Sequence, residues 1–106
     1  MRPFLVLKRW VQGAADEKWY EVDGRLRPDE IADYYTGIHN GTIVVLKCNS
    51  SFLLTHTIEE FDALLRDYYF VLATAQSGSL QLSAVLSPDD LRQIINIINH
   101  AQHASN

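Results

Sequence analysis

The chain has a single cysteine, Cys48, in 106 residues. No disulfide can form within it, and a reducing compartment, the cytoplasm, is the expected location. Three prolines and five glycines leave no material for a linker or a low-complexity segment. One domain spanning residues 1–106 is expected, with 102–106 as a frayed tail. The apolar run "FLVL" near the start is stopped by Lys8 and Arg9, too soon for a signal-peptide core or a membrane span. Positive charge is also scarce: nine Lys and Arg stand against thirteen Asp and Glu, for a net charge of −4. Apart from Lys8-Arg9 and the Arg25/Arg27 pair the basic residues are scattered, so no stripe exists to displace counterions from phosphates. Nucleic acid is therefore not an expected partner, and neither is a membrane. Catalytic signatures are missing as well. "GIHNGT" lacks the Gly-Lys-Ser/Thr ending of a phosphate loop, and neither Gly-x-Gly-x-x-Gly nor His-Glu-x-x-His occurs.

What is present is a globular composition, 47% hydrophobic and 21% charged, on a chain long enough to bury a core. "PFLVLKRW" and "EKWYEV" read as two strands joined by the polar loop "QGAAD" into a hairpin, with Asp23-Gly24 as a tight turn closing the second. Pro28, Asp29 and Glu30 look like the first turn of a helix. Ile31, Tyr34, Tyr35 and Ile38 continue it at helical spacing, and Gly37 with Asn40-Gly41 stops it. "TIVVLKC" is a β-branched strand suited to the middle of a sheet, and "SFLLTHT" a further short one. Thr57-Ile58-Glu59-Glu60 is a capping box, so a helix starts at Ile58. Its apolar stripe runs through Phe61, Leu64, Leu65, Tyr68, Leu72 and Ala75, while Phe70 points the opposite way. That leaves open a break near Arg66, with "YYFVLATA" as a strand. "SLQLSAVL" alternates as a half-buried strand. Ser87-Pro88-Asp89-Asp90 opens a last helix with a broad Leu/Ile stripe. The fold class expected is α+β: a mostly antiparallel sheet of four to five strands with two to three helices packed mainly on one face.

Few residues look like chemistry. His100 and His103 are three apart near the end of the last helix, where histidines are favoured by the helix dipole without any metal. Cys48 with His56, and Asn49 or Asp62 behind them, make a nucleophile only on paper. A lone cysteine at a strand end reads first as a small buried hydrophobe. The acid pairs Asp29/Glu30, Glu59/Glu60 and Asp89/Asp90 each fall where a helix begins, and capping accounts for them. No catalytic residue, metal ligand or cofactor is expected.

The aromatic set is richer. "DYY" occurs twice, as Asp33-Tyr34-Tyr35 and Asp67-Tyr68-Tyr69, but the flanking residues do not match and the recurrence reads as coincidence. Trp10, Trp19, Tyr20 and these tyrosines are the residue types that anchor interfaces, being large, rigid and polar-tipped. The expected binding residues are Trp19, Tyr20, Tyr34, Tyr35 and Tyr69 with the acids Asp33 and Asp67. The stretch "WYEVDGRLRPDEIADYYTGIHNGTIVV" resembles the GYF-type peptide-binding module in its Trp-Tyr strand, Gly turn, Glu30-Ile31 helix and Gly37 stop. It lacks that family's Gly-Pro step and Gly-Tyr-Phe triplet, and residues 48–106 lie outside the likeness. The resemblance implies recognition of a proline-rich peptide by Trp19, Tyr20 and Tyr34. The function expected from the residues themselves is a non-catalytic protein-binding module: an acidic adaptor, inhibitor or immunity-like protein. It would act on a protein partner, or on itself through the C-terminal helix. The alternatives are a small-molecule binder with a pocket between sheet and helices lined by Tyr34, Tyr68 and Trp19, and, last, a small enzyme using Cys48 or the histidines.

Overall fold

The computed structural model describes residues 2–78 and 80–104, the last three of these by backbone alone. Within them, six strands and two helices follow in the order β1 (Phe4–Gln12), β2 (Trp19–Leu26), β3 (Ile31–Thr36), β4 (Thr42–Leu46), β5 (Ser51–Leu54), α1 (Ile58–Ser77), β6 (Val85–Leu86) and α2 (Pro88–Ala104). The sheet runs β2-β1-β5-β4-β3, with β6 added in parallel beside the start of β1. All other pairings are antiparallel. The fold is a single small α+β domain, as the sequence led us to expect.

Strand alternation decides which side is covered. Leu5 and Leu7 of β1, Leu26 of β2, Val44 of β4 and Leu54 of β5 are buried and lie on one face by register. Phe61, Tyr68, Val71 and Leu72 of α1, and Leu91 of α2, close over that face in the same core. Both ends of the covering layer are capped as the sequence requires. The Thr57 hydroxyl accepts from Glu60 N while Glu60 accepts from Thr57 N. Ser87 and Asp90 exchange the equivalent pair, each cap satisfying helix donors that would otherwise be orphaned. α1 runs unbroken through Ser77, so "YYFVLATA" is helical and Phe70, 43% exposed, stands on its solvent side. Tyr68 is fully buried and donates to Pro3 O at 2.7 Å, tying the helix to the chain start.

Three expectations change. Residues 31–36 form a strand, with only a single 3₁₀ turn at Pro28–Glu30 before it. The reason is a bulge: Ile31 pairs with Leu46, but the next pairs are Asp33 with Val45 and Tyr34 with Val44. The extra residue, Ala32, puts Ile31 and Tyr34 on the same face although they are three apart, which imitates a helical period. Asp23-Gly24 is not a turn. It lies inside β2 opposite Lys8 and Leu7, and Gly24 leaves room for the Arg9 side chain, whose Cδ would stand 3.2 Å from an added Cβ. "SLQLSAVL" forms a strand only at Val85-Leu86, since one short stretch of β1 edge is all that is free to receive it.

The Tyr68 phenol is pushed up to about 12, chiefly by burial and then by the negative charge of Asp29. Its folded-state value lies above that of the unfolded chain. The stabilisation is complete below about pH 10 and declines as pH rises toward 12. Tyr68→Phe is expected to cost about 1 kcal/mol at neutral pH and to flatten the loss of stability between pH 10 and 12, as read by urea unfolding at each pH.

Candidate binding face

The side of the sheet away from the helices carries the complementary set of side chains. One row crosses five strands: Tyr35, Ile43, Leu53, Trp10 and Glu21 are successive cross-strand partners. The neighbouring row includes Asp33 with Val45 and Ser51 on one side, and Gln12 with Trp19 on the other. Trp19 is 37% exposed and Tyr35 48%.

The β3–β4 connection completes this face. Gly41 N donates to Ile38 O at 3.0 Å, with His39 (φ 57°) and Asn40 (φ 56°) between them, the geometry of a type I′ hairpin turn. The segment folds back over the row: a Cβ on Gly37 would fall 2.6 Å from Ile43 Cγ1, and one on Gly41 2.2 Å from Leu54 O. Both positions therefore need glycine for close approach. The turn delivers the His39 ring to the two tryptophans, 5.2 Å from Trp19 edge-on and 5.7 Å from Trp10. Two consecutive non-glycine residues in the left-handed region are costly, and these ring contacts hold the first of them. Ile38 stands beside it, 55% exposed. Trp10 Nε1 is buried with no hydrogen-bond partner among the described residues, a donor for which an acceptor would be favourable. Charge on this face includes the acids Glu21 and Asp33 and the Lys8–Asp23 ion pair at 2.6 Å.

The expected binding residues do not form one site. Trp19 and Tyr35 share the open face. Tyr20 lies on the opposite side of β2 and donates to Asp16 of the hairpin loop, which lowers that carboxyl and raises the phenol. Tyr34 is turned inward, edge-on to Phe61 at 5.0 Å, and donates to Asp62 at 2.5 Å. The Asp62 carboxylate raises its phenol, burial adding to the effect. Asp33 accepts from Tyr34 N at 2.8 Å. Tyr69 on α1 donates to Asp29 at 3.2 Å, and Arg2 pairs with the same carboxylate at 2.7 Å. Asp67 lies half-buried on α1, away from the sheet's open side. Trp10, Ile38 and His39 join the face without having been singled out as its residues. "HNG" between two β-forming runs was the available signal, masked by reading 31–38 as a helix.

Other expectations are corrected. The pocket of Tyr34, Tyr68 and Trp19 is not formed: Tyr68 is core, and Trp19 is on the other face from Tyr34. A cleft of about 280 Å³ lies instead beside β1, between His56 and the start of α2 at Ser87-Pro88-Asp89. Cys48 is exposed in the β4–β5 turn rather than buried. His56 follows the other end of β5, so the two do not meet, and Asp62 is engaged by Tyr34. No group of three or more His, Cys, Asp or Glu with metal-site geometry occurs among the described residues, and the side chain of His103 lies outside them. No helix among them is long and apolar enough to cross a membrane. The helix that carried the GYF likeness at Glu30-Ile31 is replaced by a 3₁₀ turn that ends at Glu30 and a strand that begins at Ile31. Comparison with protein-family models, curated proteins and solved structures gives no match.

Two outcomes follow from this geometry. Asn40→Gly relieves a left-handed residue in a type I′ turn and is expected to stabilise the fold by about 0.5–1 kcal/mol, seen as a higher urea midpoint at unchanged slope. The Cys48 thiol is lowered, first by a side-chain hydrogen bond with Ser50 and then by the Ser50 backbone, so more of it is thiolate at pH 7. One equivalent of a maleimide should react with the native protein without denaturant, and Ser50→Ala should slow that reaction at pH 7 while leaving the rate at pH 10 little changed.

Proposed function

We propose that the chain is a non-catalytic protein-binding module whose contact surface is the open face of the sheet around Trp10, Trp19 and His39. The observation that carries this reading is the His39 turn, a strained segment folded back onto two tryptophans on the side the helices do not cover. Strain of this kind persists where the surroundings fix it, and it concentrates at functional surfaces. Trp19, Tyr35 and Ile38 supply apolar anchors at low entropic cost. With Glu21 and Asp33 nearby and a net charge of −4, the partner is a polypeptide segment pairing apolar with basic side chains, met in a reducing compartment such as the cytoplasm. Adaptor, inhibitor and immunity-type roles all use such a surface without chemistry of their own.

A random-peptide display library panned against the folded protein is expected to enrich sequences combining Lys or Arg with aliphatic residues. Trp19→Ala should weaken the selected peptides at least tenfold, on the scale of a truncated interface anchor, with the far-UV spectrum unchanged. Failure to enrich, or enrichment that Trp19→Ala leaves intact, removes the open face as the binding surface.

A further inference from the structure

The two edges of the sheet are treated differently by the sequence. On β3, Gly37 N donates to Gly41 O at 2.8 Å, so by alternation the odd-numbered residues bond to β4 and Tyr34 N points to the free edge. That donor is taken by the Asp33 carboxylate at 2.8 Å, and the bulge at Ala32 breaks the regularity of the same edge. Both are devices that stop further strand addition.

β2 has neither. It pairs with β1 over eight residues in one unbroken register, contains no proline, and is not paired along its other side by any described strand. Gly13 N donates to Lys18 O at 2.8 Å in that same register. Even-numbered residues of β2 therefore bond to β1, and the backbone groups of Glu21, Asp23 and Arg25 face outward. Thr55 N donating to Lys8 O on the far side of β1 agrees with this phase. The outward-bonding residues and Arg27 beyond them read acid, acid, base, base around Gly24 (Glu21, Asp23, Arg25, Arg27). Glu21 and Arg25 form no ion pair among the described residues, and Asp23 offers Lys8 one of its two oxygens.

We propose that the free edge of β2 is a homodimer interface, with two copies pairing antiparallel about a twofold axis through Gly24. In that register Asp23 of each copy stands opposite Arg25 of the other, and Glu21 opposite Arg27, so every acid meets a base. Moving the axis two residues to Val22 puts Glu21 opposite Asp23, and centring it on Asp23 puts that residue against itself. Charge thus selects one alignment. Asp23 and Arg25 have N–H and C=O groups that face outward, so they can pair without disturbing β1, and the ladder ends there because Arg27 O already accepts from Glu30 N at 2.9 Å. On the helix side of the same edge Val22 is exposed in the single chain and would be covered by the second copy, and Gly24 at the axis presents no side chain to clash. The ladder uses the strand's edge, while the side chains of Glu21, Asp23 and Arg25 lie at the rim of the open face, so the dimer shares Glu21 with that face and leaves the Trp10–Trp19–His39 cluster to it.

Sedimentation equilibrium over a concentration series is expected to show a species of twice 12.1 kDa that weakens with added salt. Arg25→Glu and Asp23→Lys should each reduce self-association by about tenfold or more, since each turns two attractive pairs repulsive. An equimolar mixture of the two variants should restore a heterodimer. The unchanged Asp23 of the first then faces the unchanged Arg25 of the second, and the introduced glutamate of the first faces the introduced lysine of the second. Arg25→Pro removes an outward-facing N–H that β1 does not use, and it should abolish dimerisation with the monomer still folded. A wild-type chain that stays at 12.1 kDa throughout overturns the proposal. So does a dimer indifferent to Arg25→Glu, or one dissolved by Ile97→Asp, which would place the contact on α2, where Ile97 is 62% exposed.

Discussion

The sheet depends on how β1 distributes its backbone. One side of the strand is committed to β2 along eight residues. The other is divided: Arg9 and Trp10 pair with β5, Phe4 and Leu5 with β6. A strand satisfied by three neighbours must be central, and unsatisfied N–H and C=O groups in such a place would be expensive. From this division follows the rest. β5 brings β4 and β3 to one side, β6 brings the start of α2 into line with β1, and the helices are left to close the face that carries Leu5 and Leu7. The small cleft beside Val6 and Lys8 is the gap between the two partial neighbours.

Because one layer of helices covers one face, the other face has to be explained by something besides the core. Its rows mix Trp10, Leu53 and Ile43 with Glu21 and Asp33, and the chain shields the middle with its own hairpin tip rather than with a third layer. The molecule is 57 Å in its longest dimension and 24 × 21 Å in the others, so little of it lies far from solvent. The tryptophans are held in place by backbone geometry: Gly37 and Gly41 permit the close approach, and the turn between them supplies the imidazole.

Much of the fold was legible because local and global signals agreed. The capping box at Thr57, the N-cap at Ser87, the β-branched run Thr42–Leu46 and the Ile/Leu stripes of both helices each mean one thing. What failed was where one pattern has two causes. Ile31 and Tyr34 at a spacing of three fit a helix, and equally a strand with one bulged residue, and only pairing with β4 distinguishes them. Asp-Gly fits a turn, and also a strand in which a long arginine reaches over the glycine from the diagonal position on the next strand. The alternation of Leu80, Leu82, Ala84 and Leu86 needed a neighbour to pair with, and β1 had only two residues to offer. Of the site, Tyr35 was readable as an exposed ring, whereas the place of Trp19 on the open face and its separation from Tyr34 and Tyr20 depend on register. His39 became visible only once the segment before it was a strand. The two "DYY" copies make the same point: one is in a strand and one in a helix, and in both the first tyrosine goes inward and the second outward.

The Asp33 carboxylate that caps Tyr34 N has a consequence for how far order can spread. A sheet with both edges bare can add neighbours indefinitely, each new chain exposing another edge like the one it covered, and such growth ends as a filament. Here the β3 side is terminated within the chain itself. A single side chain and one extra residue, Ala32, disfavour the addition of a strand at that edge.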